Sequence, residues 1–477
     1  MVISIVARLT THALLLLLAF AGFGRVNGAS PEEIIKAALE RKQPNILLIL
    51  ADDLGYGDLG CYGQSRIKTP NIDRLAAEGT RYTQAYAGST VCAPSRAVLM
   101  TGFHTGHNRI RGNDQRPLLS TDVTVARLLD KAGYQTALFG KWGLGLPGSS
   151  GIPTRQGFQE WLGYLDQTAA HNYYPTQLYR NDQVMDLPQN EGGRHGLYVQ
   201  DLIDRVTTNY LRTAKYRPFF LCLAYTLPHA NNELGRATGN GMETPSDAPY
   251  SKEPWPQPEK NKAAMITRID SDVGMVLAAL KAHRMTSNTV VIFTSDNGPH
   301  SEGGVKASFH QSSGPLRGIK RDLYEGGIRV PLIAWWPGRI PAGRVSQELF
   351  PAWDFLPTAL DLAGLPIPAG LDGISMKRDL LGLAQTNRHE TLYWEFHEGW
   401  SRQAIRMGNW KGVRNGVGEG MELYDLATDL GETNNLASAH PEILARLEER
   451  LAHARNADPE WPLKPKPAPG EPADPKK

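Results

Sequence analysis

The chain has 477 residues, 41% of them hydrophobic and 21% charged, with 51 basic residues against 49 acidic ones. That length suits one large domain with a smaller one beside it, and the composition is that of an ordinary soluble globular protein. The near balance of charge argues against a nucleic-acid partner or a strongly electrostatic membrane partner. Three cysteines are too few for a disulfide scaffold.

Arg8 precedes an apolar run over 13–24, and the small residues Asn27-Gly28-Ala29 follow. Residues 1–28 read as a secretory signal peptide, because the run is too short to span a bilayer comfortably. Its removal leaves 49 basic and 49 acidic residues. No cysteine sits near the cleavage region and no second long apolar segment follows. The mature protein is therefore expected to be exported, periplasmic or secreted, without stable membrane insertion.

Residues 46–50 are wholly aliphatic and end at Asp52-Asp53, the pattern of a buried parallel strand. Residues 71–79 and 124–132 read as helices, and 133–139 as a second strand. Residues 218–225 and 289–294 give a third and a fourth strand, with a long helix over 260–284 between them. Strands alternating with helices predict an α/β domain with a mostly parallel sheet over 42–383. After Leu383 short strand-like pieces appear at 391–395, 403–407 and 410–413, then an amphipathic helix over 441–455. These predict a small antiparallel sheet plus helix, a subdomain over 384–457. From Asp458 the chain is rich in proline and lysine, and 458–477 is expected to be disordered.

Asp52-Asp53 and Asp296-Asn297 lie just beyond two apolar strands, where ligands of parallel sheets collect. Either pair alone reads as a turn. Together they offer three carboxylates and an amide oxygen, a hard all-oxygen set suited to Ca²⁺, with Mg²⁺ second. Cys92 opens the run Cys92-Ala93-Pro94-Ser95-Arg96. Pro94 suits a first helical turn, which puts Cys92 at a helix N-terminus that favours anions. Taken alone, Cys92 reads as a small buried hydrophobe or as a thiolate nucleophile of the phosphatase type, although that design uses a longer loop before its arginine. Cys61 and Cys222 are expected in the core, with their pairing undecided.

The C-x-P-S-R run resembles the signature of the type I sulfatases, in the alkaline phosphatase superfamily, and the resemblance extends from about residue 42 to about 437. It implies an alkaline-phosphatase-like α/β fold, its sheet sandwiched by helices, with a small C-terminal subdomain. It implies that Cys92 is oxidised to formylglycine by a formylglycine-generating enzyme, and that Asp52, Asp53, Asp296 and Asn297 hold calcium against residue 92. Arg96 would donate to the formylglycine oxygens or to neighbouring carboxylates. Lys141, in Phe139-Gly140-Lys141-Trp142-Gly143, and Lys320, in Leu316-Arg317-Gly318-Ile319-Lys320, match the family's lysine segments and would bind sulfate oxygens. His229, in Leu227-Pro228-His229-Ala230, would protonate the leaving alcohol. One hydroxyl of the hydrated aldehyde would attack sulfur, and the other would then expel sulfate.

One position departs from the pattern. Gly143 stands where many members carry a histidine, and His171 is expected to fill that space as a substrate contact. His104 and His107 read as structural or rim residues. The implied reaction is hydrolysis of a sulfate ester on a carbohydrate or an aryl alcohol. The alternatives are a phosphoester or phosphonate hydrolase on the same scaffold, and a sulfated-glycan binder with an unmodified cysteine. Loops at 148–155 and 231–258 are expected to wall the pocket. Tyr173, Tyr174, Trp394 and Trp400 are candidates for sugar stacking, which core packing would explain equally well.

Overall fold

The strand Asn45–Ala51 is buried at every position, as an aliphatic run must be in a sheet covered on both faces. The computed structural model describes residues 43–114 and 116–468, so the signal-peptide reading of 1–28 falls outside the described residues. Among them a ten-stranded sheet forms around this strand. Phe219–Ala224 and Thr289–Ser295 flank it in parallel, with Leu47 opposite both Leu221 and Val291. Gln135–Lys141 and then Glu160–Tyr164 continue the parallel array beyond Phe219–Ala224. Short strands complete the two edges, mostly antiparallel: Leu332–Trp335, Thr80–Tyr82 and Arg344–Ser346 on one side, Gln177–Arg180 and Gln183–Asp186 on the other.

Alternation along the central strand divides the core in two. Leu47, Ile49 and Ala51 face a cluster that includes Ile72 and Leu75, Ile203 and Leu211, and Ile269 and Val273. These belong to the helices Pro70–Ala77, Val199–Thr213 and Gln257–Ala282. Ile46, Leu48 and Leu50 face the opposite cluster, which includes Ala97, Leu129 and Leu356. Those come from Cys92–Thr101, Val125–Lys131 and Phe355–Leu362. The expected parallel α/β core is therefore present.

Four antiparallel strands form the C-terminal sheet: Leu392–Phe396, Arg402–Met407, Trp410–Arg414 and Glu422–Asp425. The helix Pro441–His453 places Leu447 and Leu451 against Tyr393, Ile405 and Leu423. This sheet belongs to the same compact unit as the large one. Its Trp394 Nε1 donates to the Ala87 carbonyl at 2.9 Å.

Two expectations are corrected here. Residues 458–468 are not a loose tail: Trp461 is buried, its indole donates to the Arg109 carbonyl at 2.8 Å, and Pro465 bridges Val417. All three cysteines are free, and Cys61 is only partly buried while Cys222 lies in the core.

Candidate active site

Four adjacent parallel strands carry the site at their carboxyl ends. Thr289–Ser295 leads into Asp296 and Asn297, and Asn45–Ala51 leads into Asp52 and Asp53. Phe219–Ala224 leads, through a short turn, to His229, and Gln135–Lys141 ends on Lys141 itself. Across their ends lies the helix Cys92–Thr101, entered from an extended Val91. Cys92 is buried, and its Sγ donates to Asp52 Oδ1 at 3.2 Å. The helix start thus puts its free N–H groups and dipole beside residue 92.

The charges interlock. Arg96 donates from Nε and Nη2 to Asp296 Oδ2 at 3.0 and 2.8 Å, and from Nη1 to the Lys141 carbonyl at 2.8 Å. Of the two partners expected for Arg96, these bonds are to carboxylate. Lys141 Nζ donates to Asp52 Oδ2 at 2.7 Å. Lys320 Nζ donates to Asp53 Oδ2 at 2.8 Å and to His229 Nε2 at 2.9 Å. Asn297 Nδ2 donates to Asp53 Oδ1 at 2.7 Å, while Asn297 Oδ1 is buried with no hydrogen-bond partner among the described residues. Asp53 adopts φ +65°, a left-handed conformation uncommon for a residue with a side chain and frequent at functional sites. All the residues expected in the site are therefore together, in one buried cluster with His171 at its edge.

Burial governs the protonation states, and neighbours modify it. Burial and the Asp52 charge push Asp296 up to about 7. Burial is the largest influence on Asp52 and Asp53 and raises both, but the surrounding cations together, led by Lys141 at Asp52 and Lys320 at Asp53, hold both below the usual carboxylate range. Burial and then Asp52 push the Cys92 thiol well up, which disfavours a thiolate nucleophile. Burial and then the Lys320 ammonium lower His229 to about 3. His229 Nδ1 lies 2.7 Å from the Ala230 carbonyl, so the neutral ring keeps its proton there and turns Nε2 to Lys320 as an acceptor.

The sulfatase family profile matches residues 44–365, and the profile for the C-terminal region of N-sulphoglucosamine sulphohydrolase matches 319–457. The chain belongs to the sulfatase family. It is 34% identical to N-acetylgalactosamine-6-sulfatase of Canis lupus familiaris over 439 residues, covering 85% of this chain and 76% of that one. It is 33% identical to human arylsulfatase A over 464 residues, covering 86% and 87%. The crystal structure of Ps i-CgsB in complex with k-i-k-neocarrahexaose superposes with a TM-score of 0.77 at 29% identity, covering 89% of this chain and 95% of that one. This sulfatase is accordingly a sulfuric ester hydrolase.

His171 does not fill the space beside Gly143. A Cβ on Gly143 would lie 1.9 Å from Gln167 Nε2, so Gln167 occupies that volume. His171 instead stacks on His229, with centroids 4.7 Å apart, and its Nδ1 lies 3.0 Å from Glu233 Oε2. Tyr173 and Trp394 are fully buried and are not a sugar surface. The Tyr173 hydroxyl lies 2.7 Å from the carbonyls of both Thr226 and His229, and so braces the turn that carries His229. His104 and His107 stack on each other and share Asp372, in keeping with a structural role. Three neighbours of the site escaped the sequence reading: Gln167, His300 and Glu302. His300 is buried three residues beyond Asn297, near enough in the chain to have been suspected.

Proposed function

We propose that this sulfatase hydrolyses sulfate monoesters of carbohydrates, with residue 92 as formylglycine and a Ca²⁺ held by Asp52, Asp53, Asp296 and Asn297. The observation that carries the reading is the setting of Cys92. It is a buried side chain at a helix start, 3.2 Å from Asp52, in a cluster that also holds two lysines.

The donor set fits a hard divalent cation. Three buried carboxylates lie close together, burial and then the Asp52 charge push Asp296 up to about 7, and the buried Asn297 Oδ1 faces no donor. Such a cation would supply charge stabilisation to the sulfate oxygens. Formylglycine would supply a hydrated carbonyl whose oxygen attacks sulfur.

The chain's own residues orient and neutralise. An ammonium group has three protons, so Lys141 keeps two donors for sulfate oxygens after bonding Asp52, and Lys320 keeps one after bonding Asp53 and His229. Arg96 braces Asp296 and the Lys141 carbonyl, which fixes both sides of residue 92. His229 is neutral, with Lys320 donating to its Nε2. The leaving alcohol would therefore take its proton at this pair from Lys320 Nζ, the atom that carries one there, with His229 Nε2 as the acceptor that holds Lys320 in place.

Sugar esters are favoured by the relatives. The names of several give N-acetylgalactosamine 6-sulfate as the substrate, and Ps i-CgsB was crystallised with a neocarrahexaose. No described helix is long and apolar enough to cross a membrane. The proposal includes export through residues 1–28 and maturation by a formylglycine-generating enzyme.

The test is mass analysis of the tryptic peptide carrying residue 92 from native material, with calcium assay and parallel turnover of 4-nitrophenyl sulfate and 4-nitrophenyl phosphate. An aldehyde, bound calcium and a preference for the sulfate are expected. A free thiol in active protein, or a preference for the phosphate, would overturn the reading.

A further inference from the structure

The helix Cys92–Thr101 is held at both ends by one loop. Val91 precedes the helix and makes no side-chain capping bond, and Pro94 has no N–H to satisfy. The Ala93 N–H, next to residue 92, donates instead to Asn113 Oδ1 at 2.9 Å, 20 residues on in the chain. At the other end Asn108 Nδ2 donates to Thr101 Oγ1 at 2.8 Å. The loop 108–113 therefore runs back along the helix and sets its first turn through Asn113.

The end of the chain holds this loop. A Cβ on Gly112 would lie 2.9 Å from the ring of Trp461, which is buried. The glycine thus lets loop and indole meet without a gap, and close packing makes them shift together. The same indole bonds the Arg109 carbonyl. Arg111, also buried, donates from Nη1 to Glu395 Oε1 at 2.7 Å and to the Asn456 carbonyl at 3.2 Å. The segment is fixed in turn to the C-terminal sheet. The Lys464 N–H donates to Ser401 Oγ at 2.8 Å, and the Ser401 N–H donates to the Lys464 carbonyl at 3.0 Å. Chain ends fray unless they are tied down. This one is tied down against the loop that reaches residue 92.

Resting on the reading of residue 92 as the reacting group, we propose that Asn113 is a positioning residue for it, held on Ala93 by the C-terminal segment 456–464. Turnover then depends on a chain end whose own contacts are with a loop and a second sheet. Residue 92 meets Asp52 at 3.2 Å only in the orientation that its helix start gives it. A first turn released at Ala93 loosens, because a capping bond is gone, and a reacting atom displaced by about 1 Å can lose roughly 100-fold in rate. The sulfate-binding lysines stand elsewhere, Lys141 at the end of the strand Gln135–Lys141 and Lys320 in a separate loop. The loss therefore falls on kcat and not on KM.

The test measures kcat and KM for 4-nitrophenyl sulfate in the full chain, per molecule that carries formylglycine, with the aldehyde content of each variant taken from mass analysis of its residue-92 peptide. Asn113→Ala and Trp461→Ala should each lower kcat by about 10-fold and leave KM within about 2-fold. The double variant should be no slower than the slower single one, because both changes break one chain of contacts. Asn113→Ala keeps the test decisive should Trp461→Ala fail to fold, since Asn113 is only partly buried and its loss leaves the Trp461 packing intact. Wild-type kcat in Asn113→Ala would overturn the proposal, as would a rise in KM that accounts for the whole loss. Losses that multiply in the double variant would do the same and leave Trp461 as a stabilising contact alone. In each of those cases the sulfate reading stands. If the wild type carries no formylglycine or cleaves no sulfate ester, both fall.

Discussion

Two buried charge networks meet in this protein, and they differ in one respect. Beneath the C-terminal sheet, Lys411 Nζ lies 2.9 Å from both Glu325 Oε1 and Glu432 Oε1, with all three residues fully buried. Glu325 Oε2 accepts from Tyr86 at 2.6 Å and from Arg329 at 3.1 Å, and Glu432 Oε2 accepts from the Glu325 N–H at 2.6 Å. Both oxygens of Glu325 accept hydrogen bonds, while Glu432 Oε1 has the Lys411 charge beside it without a hydrogen bond. The cluster at the strand ends is as deeply buried, yet it leaves Asn297 Oδ1 without a partner, and Asn232 Oδ1 and Glu302 Oε2 unpaired at its edge. Burying charge is costly in both places. In the first the chain supplies its own charges, tying Lys411 of the C-terminal sheet to the helix Glu325–Ile328 and to Tyr86. In the second Asn297 Oδ1 is left among three carboxylates with no cation of the chain on it, in keeping with the metal proposed above.

The comparison breaks most visibly at residue 92. Cys92→Ala should lower turnover of 4-nitrophenyl sulfate by about 10³-fold or more while leaving thermal unfolding nearly unchanged, because it removes the reacting group and little packing. Retained turnover would move the chemistry elsewhere. The reverse pattern is expected at the seam. Lys411→Met strands Glu325 and Glu432 in the interior and should cost about 3–5 kcal/mol in denaturant unfolding, with kcat per folded molecule unchanged. A drop in kcat at unchanged stability would show that the two networks are coupled.

The division between legible and hidden parts follows the same line. The strands at 45–51, 219–224 and 289–295 could be read because burial on both faces demands unbroken apolar runs. The carboxylates could be read because they interrupt those runs abruptly. Thr80–Tyr82 and Arg344–Ser346 were too short to show any period. The helix Val199–Thr213 carries apolar residues at helical spacing and was simply not picked out. Gln167 and Glu302 were invisible for a different reason. Their meaning lies in what they approach across space, Gly143 for one and the Asn232 loop for the other, and neither has a local signature. Trp394 misled because an aromatic residue reads alike on a surface and in a core.

The seam also predicts a pH dependence that sharpens the contrast. Burial pushes Glu432 from its ordinary value of 4.5 up to about 7, while burial acting on Glu325 is outweighed by Lys411 and Arg329, which hold that group at about 2. Folded Glu432 therefore binds its proton more tightly than unfolded Glu432 does. Between those two pH values unfolding releases a proton, so the contribution of this group to stability is largest at low pH and falls as pH rises toward about 7. Glu432→Gln cannot titrate. Its unfolding free energy, relative to wild type, should improve by about 3 kcal/mol between pH 4.5 and 7.5, measured by denaturant midpoints across that range. A difference that stays flat with pH would mean that Lys411 keeps both glutamates ionised. The seam would then be a fully charged triad, with Glu432 ionised beside Lys411 rather than protonated.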